Sequence, residues 1–303
     1  MIHEIYPKKY NPLYINREIQ ENDYLLDYEG DGILVKRKDG KITLPKCYDY
    51  QEICGLAKNK ILDSAYYLFE ISGNFYYEIT DLPQKIKDDL IFYKKLEDLP
   101  EEPIHGGNEY FYLRIHRFRE LDPVYMVYAG ATGYHLSNWR KTSKYCGCCG
   151  APTRPSEIER AFVCTKCGYS KYPQIAPAVI VAITNNDKIL LVKNLRRPKN
   201  VRLELVSGYV EIGESFEQAV HREVLEEVGL KVKNIRQYKD QPWGISGAHM
   251  IGYVADVDGD DTVTRQEDEI SEAKWYTRDE VPEYRNRLSV GSEMILSFKK
   301  GIF

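Results

Sequence analysis

The stretch that decides the fold is Gly208-Tyr-Val-Glu-Ile-Gly-Glu-Ser-Phe-Glu-Gln-Ala-Val-His-Arg-Glu-Val-Leu-Glu-Glu-Val-Gly-Leu230. Ser215, followed three residues later by Gln218, is a capping box that begins a helix, and Gly229 ends this helix. Between these signals, apolar residues recur every four positions, which predicts one buried helix face. They are Phe216, Val220, Val224 and Val228.

Three glutamates of this predicted helix, Glu223, Glu226 and Glu227, have the spacing i, i+3 and i+4 and therefore share one face. Acids at this spacing repel one another by some tenths of a kcal/mol for each pair. Arg222 relieves part of this repulsion. A hard divalent cation such as Mg²⁺ or Mn²⁺ relieves it fully, because it binds oxygen ligands and keeps positions open for phosphate. A solvated acidic face is the alternative interpretation of the glutamates alone.

Two CxxCG motifs, at residues 146–150 and 164–168, predict a second metal site. A CxxC turn presents two thiolates to one point, and four thiolates satisfy tetrahedral zinc without leaving an open position. We therefore expect structural Zn²⁺ on Cys146, Cys149, Cys164 and Cys167. Cys148 could compete in a shifted pairing, but the phase of the motif leaves it surplus.

The chain has 303 residues, which exceeds the usual size of one domain. Its formal charge of −4 gives no global field toward nucleic acid or anionic lipid, so any polyanion must be held locally or through a metal. There is no apolar run of the ~18 residues that a membrane helix needs. The charged start is unlike a signal peptide. We expect a cytoplasmic protein without a membrane segment.

The first part of the chain is rich in strand-like tyrosine runs. Residues 32–44 predict two strands around an Asp39-Gly40 turn, residues 65–79 predict a second hairpin, and residues 110–115 predict a further strand. A helix is predicted to begin with Asp122 as its N-cap and Pro123 at its first position. It runs through Trp139 and ends before the cysteines.

The stretch at 208–230 fits Gly-x5-Glu-x7-Arg-Glu-U-x-Glu-Glu-x-Gly-U (U, aliphatic) without a mismatch, and it resembles the Nudix hydrolase signature. The resemblance implies an α/β fold, an αβα sandwich with a mixed sheet. It also implies that the loop and helix bind divalent metals and that the enzyme cleaves a nucleoside diphosphate linked to another group.

Three further features resemble one Nudix branch, the zinc-ribbon NADH pyrophosphatases, which also remove NAD caps from RNA. The order of parts agrees: a β-rich α+β N-terminal domain with a linking helix (1–138), a zinc ribbon (139–173) and a Nudix domain (174–303). The junction at 172–183 matches the branch, and so does Gln241-Pro-Trp243. Where the branch has Ser-Gln-Pro-Trp-Pro-Phe-Pro-x-Ser, however, this chain has Asp-Gln-Pro-Trp-Gly-Ile-Ser-Gly-Ala at 240–248.

The resemblance implies a set of site residues. Glu223, Glu227 and Glu269, with the carbonyl of Ser207, correspond to ligands of the catalytic metal. Glu226 corresponds to a third helix ligand or to the base that activates water. The expected dinucleotide-binding residues are Glu159, Tyr172, Tyr209, Gln241, Trp243 and Gly291. For Trp243 alone, a packed core position is the alternative.

These resemblances predict metal-dependent hydrolysis of the pyrophosphate bond of NADH or NAD⁺ to AMP and nicotinamide mononucleotide, together with removal of NAD caps from the 5′ end of RNA. A homodimer is implied in the same way. Because the segment after Trp243 departs from the branch, ADP-ribose or dinucleoside polyphosphates are alternative substrates. A non-catalytic nucleotide sensor is a third alternative, although such sensors usually have a damaged metal helix.

Overall fold

The structure is a computed structural model that describes residues 1–55, 61, 63–80, 82–100, 109–195, 203–283 and 288–303. The chain forms two compact units. The catalytic unit comprises Met1, Ile175–Trp243 and Gly247–Phe303, and the N-terminal unit comprises Ile2–Gln174 and Gly244–Ser246. Within the described ranges, no helix combines the length and apolar character required to cross a membrane.

In the described residues the helices are α1 (Asp49–Cys54), α2 (Gln84–Asp89), α3 (Ile115–Phe118), α4 (Val124–Lys141), α5 (Phe216–Val228) and α6 (Val290–Lys299), with a 3-10 turn at Leu96–Asp98. The strands are β1 (Tyr10–Asn11), β2 (Tyr24–Leu26), β3 (Tyr28–Glu29), β4 (Gly32–Lys38), β5 (Lys41–Thr43), β6 (Ala65–Ile71), β7 (Asn74–Ile79), β8 (Phe92–Tyr93), β9 (Glu109–Arg114), β10 (Thr153–Pro155), β11 (Phe162–Cys164), β12 (Ser170–Lys171), β13 (Ala176–Asn185), β14 (Lys188–Asn194), β15 (Val206–Tyr209), β16 (Val232–Trp243), β17 (Ala248–Val257) and β18 (Ile270–Thr277).

The catalytic unit is built on a six-stranded mixed sheet. Its order is β16-β17-β13-β14-β18, and β15 pairs with β13 beside β14. The pairing of β13 with β17 is parallel, and the other pairings are antiparallel. Alternate side chains along β13 point to opposite faces: Val179 and Val181 pack in the core under α5, whereas Ala182 packs in the core under α6. A helix on each face confirms the predicted αβα sandwich.

Helix α5 begins and ends where the sequence predicts. The Ser215 hydroxyl accepts the Gln218 backbone N–H, the Gln218 side chain accepts the Ser215 N–H, and Gly229 is the C-cap. Val220, Val224 and Val228 are buried, but Phe216 is 40% exposed, so the predicted stripe is wrong at its first member. Side chains of a helix point toward its N-terminus, which directs a first-turn residue past the end of the packed face.

The described residues of the N-terminal unit form three sheets, in agreement with the predicted β-rich composition. Their orders are β1-β6-β7-β2, then β3-β4-β9-β8 with β5 on β4, and finally β10-β11-β12 in the region of the cysteines. Both predicted hairpins are present, with β4 and β5 joined at Asp39-Gly40 and β6 followed by β7. Strand β9 ends at Arg114 rather than at 115, because Ile115 begins α3.

The start of helix α4 differs from the prediction by one residue. Pro123 is extended (ψ 155°) and is itself the N-cap, and its carbonyl accepts the N–H of Met126. Asp122 therefore lies one position too early to cap the helix. The helix passes through Trp139 and ends at Lys141, before the first cysteine, as predicted.

Candidate active site

Glu227 is the centre of the acidic cluster. Its side chain is 5% exposed, and burial, followed by the charges of Glu223, Glu269 and Glu204, raises its pKa to about 8, although the backbone N–H of Ser207 donates a hydrogen bond to it. Three of the residues implied as metal ligands thus act on Glu227: Glu223 and Glu269 through their charges, and Ser207 through its backbone N–H. A buried carboxyl surrounded by further carboxyls is a donor set that fits a hard divalent cation, which would offset the accumulated negative charge.

Glu223 lies directly over strand β15. A Cβ atom at Gly208 would overlap the Glu223 carboxyl, so the backbone of β15 forms one wall of its site. Burial raises the pKa of Glu223, against the effect of Arg222. The glycine of the signature therefore has a steric role: it lets a helix carboxyl approach the strand.

Arg222 ties the loop before α5 to the helix. Its Nε and Nη2 donate to the two oxygens of Glu214 at 2.8 Å each, and Nη2 also donates to the Tyr209 carbonyl at 2.9 Å. This pairing lowers the pKa of Glu214. Arg222 also contacts Glu223 at 2.6 Å and Glu226 at 3.3 Å. Arg222 thus fixes the loop in addition to the partial counter-charge that the sequence predicts.

The sequence analysis predicts a site role for Glu226 but none for Glu204. Glu226 projects outward with its side chain 55% exposed, beside the cluster rather than within it. Glu204 was not predicted, although it faces the cluster: it exchanges two backbone hydrogen bonds with Val192, which lies in the core under α5. The available signal was alternation along the strand, since Val206 and Gly208 lie two and four residues further on.

The expected dinucleotide-binding residues of the catalytic unit gather on the other face of the sheet. Strand register places Tyr209, Ala178, Met250 and Gln241 in one row, and Trp243 pairs with Ala248 in the next. Tyr209 is 53% exposed. Gly291, in the first turn of α6, lies on Ile180, which a Cβ at position 291 would approach to 2.7 Å. Aromatic groups thus flank a floor of small residues and Met250.

Gln241 is 1% exposed, and both halves of its amide bond to main chain. Its Nε2 donates to the Leu288 carbonyl at 2.6 Å, and its Oε1 accepts the Val290 N–H at 2.8 Å. The sequence expectation of a substrate contact did not anticipate this arrangement.

Two further expected residues, Glu159 and Tyr172, lie in the N-terminal unit and contact each other. The Tyr172 hydroxyl donates to Glu159 Oε1 at 3.0 Å, which raises the pKa of the tyrosine. Tyr172 is 52% exposed, so its ring is available to a ligand.

The segment that departs from the branch has a packing role. Gly244–Ser246 belongs to the N-terminal unit, and a Cβ at Gly244 would overlap the Ala131 carbonyl of α4. Ile245 is 9% exposed. A proline at position 244 would therefore meet this helix, which gives the departure at that position a steric reason.

The four predicted cysteines form a zinc-ligand cluster. Their sulfur atoms all lie within 4.8 Å of one another, with Sγ–Sγ distances of 3.5 Å for Cys149–Cys164 and 3.6 Å for Cys146–Cys167. Four sulfurs ~2.3 Å from one ion require nearly these separations. The backbone N–H groups of Cys167 and Lys166 lower the pKa of Cys164 to about 6, which favours the thiolate that binds zinc.

The glycine after each CxxC motif closes its turn, and Cys148 lies outside the cluster, as its surplus position in the motif predicts. Gly150 and Gly168 both have φ of 72°, the left-handed conformation that closes each turn after its second ligand. Cys148 is exposed, donates its backbone N–H to the Cys146 sulfur at 3.3 Å, and is not one of the four clustered cysteines.

Comparison with known proteins agrees with this geometry. Residues 174–294 match the NUDIX domain, and residues 141–172 match the NADH pyrophosphatase zinc ribbon domain. The chain is 34% identical to the NAD-capped RNA hydrolase NudC of Haemophilus influenzae (strain PittGG) over 229 residues, which cover 72% of this chain and 86% of that protein. It is 44% identical over 163 residues to the NAD-capped RNA hydrolase NudC of Shigella boydii serotype 18, with 54% and 62% covered.

Among solved structures, a NUDIX hydrolase from Nitrosomonas europaea matches with a TM-score of 0.44 and 23% identity, over 52% of this chain and 91% of that one. The two domain matches, and the identity to one relative over most of its length, agree with the signature helix and the four-cysteine cluster. The chain therefore belongs to the Nudix hydrolases, in the branch that carries the NADH pyrophosphatase zinc ribbon.

Proposed function

We propose that this chain hydrolyses the pyrophosphate bond of NADH and NAD⁺, releasing AMP and nicotinamide mononucleotide, and that it removes NAD caps from RNA. The names of its NudC relatives support the substrate. The observation that carries the proposal is the buried Glu227 surrounded by further acids, beside an intact loop tied down by Arg222 and Glu214. A non-catalytic sensor has no need of this arrangement.

The catalytic cation in this proposal is Mg²⁺ or Mn²⁺, held by Glu223, Glu227, Glu269 and the carbonyl of Ser207. When bound, such an ion neutralises phosphate oxygens and lowers the pKa of a water molecule. The protein holds these carboxyls in place through the glycine at 208 and the Ser207 N–H. Because these carboxylates repel one another, a bound cation would offset their repulsion.

A helix glutamate, Glu226 or Glu227, acts as the general base in this scheme. The side chain of Glu226 is exposed and that of Glu227 is buried, and the base takes the proton of the attacking water. Water adds to one phosphorus, the bridging P–O bond breaks, and the bridging oxygen leaves on the other phosphate. NAD⁺ and water thus give AMP and nicotinamide mononucleotide. A capped RNA gives nicotinamide mononucleotide and a 5′-monophosphate end.

The two strand rows on the α6 face, one with Tyr209 and Gln241 and the next with Trp243, form the surface that recognises the substrate. Tyr209 and Trp243 present aromatic surfaces on which a planar base stacks, a contact worth ~1–3 kcal/mol. Glu159 and Tyr172, as a hydrogen-bonded pair, present a carboxylate and a ring. The first turn of α6 at Gly291 contributes main chain. We also propose three domains with the boundaries given above and a cytoplasmic homodimer, as the family resemblance implies.

Product identification by mass spectrometry tests the proposal. The zinc-loaded enzyme is incubated with Mn²⁺ and with NADH, NAD⁺, NAD-capped RNA or ADP-ribose in separate reactions. We expect AMP and nicotinamide mononucleotide from the first two and a 5′-monophosphate RNA from the third. Turnover of ADP-ribose with none of the nicotinamide substrates would assign the site to the alternative diphosphatase activity. No turnover in any reaction would support a sensor.

A further inference from the structure

We infer that Gln241 is a positioning residue, whose buried amide fixes the first turn of α6 beside the base-binding rows before any substrate is present. The inference rests on the proposed function only in that these rows are the proposed binding surface. The clamp, by which we mean the two hydrogen bonds from the Gln241 amide to the main chain of Leu288 and Val290, is present in the substrate-free protein.

The hydrogen bonds of Gln241 leave its amide oriented in one way. Nε2 donates to the Leu288 carbonyl at 2.6 Å and Oε1 accepts the Val290 N–H at 2.8 Å, so one side chain satisfies two main-chain groups that lie two residues apart. The side chain is 1% exposed. Loss of the amide would leave the buried Val290 N–H without this acceptor, and a buried donor that loses its acceptor is costly to stability.

The first turn of α6 is therefore capped from two directions. A helix leaves its first N–H groups without partners inside the helix. Here the Ser292 N–H donates to the Ser289 hydroxyl, at 3.3 Å, within the same turn. The Val290 N–H donates instead to Gln241, which belongs to β16. Ser289 thus stabilises the turn itself, and Gln241 anchors it to the sheet.

Close packing links this turn to the proposed binding rows. Gly291 lies on Ile180, and a Cβ at Gly252 would approach the Val290 side chain to 3.2 Å. Ile180 and Gly252 are register partners, and the row beside them on the same face contains Tyr209 and Gln241. A shift of the turn would therefore change the border of the surface that receives the base, although the acid cluster lies on the opposite face.

Because the turn borders the binding surface and not the acids, release of the clamp should weaken substrate binding and preserve chemistry. Gln241→Met removes both hydrogen bonds at similar volume. Ser289→Ala loosens the same turn from the helix side, without altering any residue of β16. Thr184→Val, which removes a hydroxyl that donates to the Ala255 carbonyl at 3.2 Å, is a matched control in the same sheet.

The test combines hydrogen exchange in the substrate-free, zinc-loaded enzyme with steady-state kinetics on NADH. We expect the Val290 amide to exchange about tenfold faster in Gln241→Met. We also expect KM to rise by a similar factor in Gln241→Met and in the same direction in Ser289→Ala, with kcat within about twofold of wild type. Thr184→Val should keep both the exchange rate of Val290 and KM.

The inference is overturned if Val290 exchanges at the wild-type rate in Gln241→Met, or if KM rises in that variant and stays at the wild-type value in Ser289→Ala. Either result would assign Gln241 to direct substrate contact or to no role. If Gln241→Met does not fold, Ser289→Ala and Gln241→Glu, which keeps the acceptor for Val290, carry the same comparison. Failure of the wild-type enzyme to hydrolyse NADH would refute the proposed function, but the exchange measurement would still test the clamp.

Discussion

The Glu223 carboxyl occupies the space that a side chain at position 208 would take, so the glycine of β15 and the glutamate of α5 fit together as one unit. This relationship explains why a glycine and a glutamate fifteen residues apart belong to the same signature. It also locates the edge of the acid cluster at the backbone of the strand.

Replacement of Gly208 by alanine should therefore displace Glu223. We expect the free energy of unfolding to fall by about 1–3 kcal/mol, as for other overpacked sites, and Mn²⁺ to bind more weakly. Chemical denaturation and calorimetric titration measure the two effects. Shortening the acid in the double variant Gly208→Ala/Glu223→Asp should recover part of the lost stability, and a double variant no more stable than Gly208→Ala would contradict the steric explanation.

The stability of the protein without Mg²⁺ or Mn²⁺ should depend on pH through Glu227. Its pKa is raised to about 8 in the folded state from an ordinary value of 4.5. Between these values the unfolded chain releases a proton that the folded chain retains, so the contribution of Glu227 to stability is fully present below about pH 4.5 and is lost as the pH rises toward 8.

Denaturation curves at several pH values, with zinc retained, test this prediction. Glu227→Gln removes this titration, so the free energy of unfolding should depend less on pH between about pH 5 and 8, the range between the unfolded and folded pKa values of Glu227. Glu226→Gln is the matched control, because that side chain is 55% exposed on the same helix. An equal slope in wild type and Glu227→Gln would refute the burial of this carboxyl.

Arg222 should contribute mainly through the loop before α5. Arg222→Lys keeps the charge but loses the two parallel hydrogen bonds to Glu214, so we expect faster hydrogen exchange at Glu211 and Glu214 and about tenfold lower activity. Arg236→Lys is the control, because Arg236 forms an exposed ion pair with Asp256 and such pairs contribute little. Equal effects of the two substitutions would show that charge alone matters at position 222.

The zinc cluster predicts a sharp difference between neighbouring cysteines. Cys164→Ser should abolish binding of one zinc ion and lower the melting temperature, because a structural zinc site contributes its binding energy to folding. Cys148→Ser should keep the zinc and the melting temperature, since its thiol lies outside the cluster. Metal analysis and thermal denaturation of the two variants check this. Loss of zinc in Cys148→Ser would indicate the shifted pairing.

The sequence was informative wherever a short-range pattern has one structural solution. The capping box at Ser215, the two CxxCG turns and the hairpin at Asp39-Gly40 all form as predicted, because each depends on residues a few positions apart. The mixed sheet with a helix on each face also agrees with the fold that the signature implied.

What the sequence missed depends on contacts between distant segments. Nothing local to Gln241 indicates that its amide will meet Val290, forty-nine residues later. Glu204 is an ordinary strand residue until the register with Val192 turns it toward Glu227. Phe216 continues the apolar spacing of α5 but lies at the end of the packed face. Spacing along the chain predicts which residues share a surface, but not what is packed against that surface.

The most direct test titrates Mn²⁺ into the zinc-loaded enzyme by calorimetry and measures AMP release from NADH on the same samples, for wild type and Glu227→Gln. We expect the wild type to bind Mn²⁺ and release AMP, and the variant to lose Mn²⁺ binding together with a rate reduction of at least about 10²-fold while remaining folded. A variant that binds Mn²⁺ as tightly as the wild type and turns over NADH at the same rate would contradict the assignment of the acid cluster.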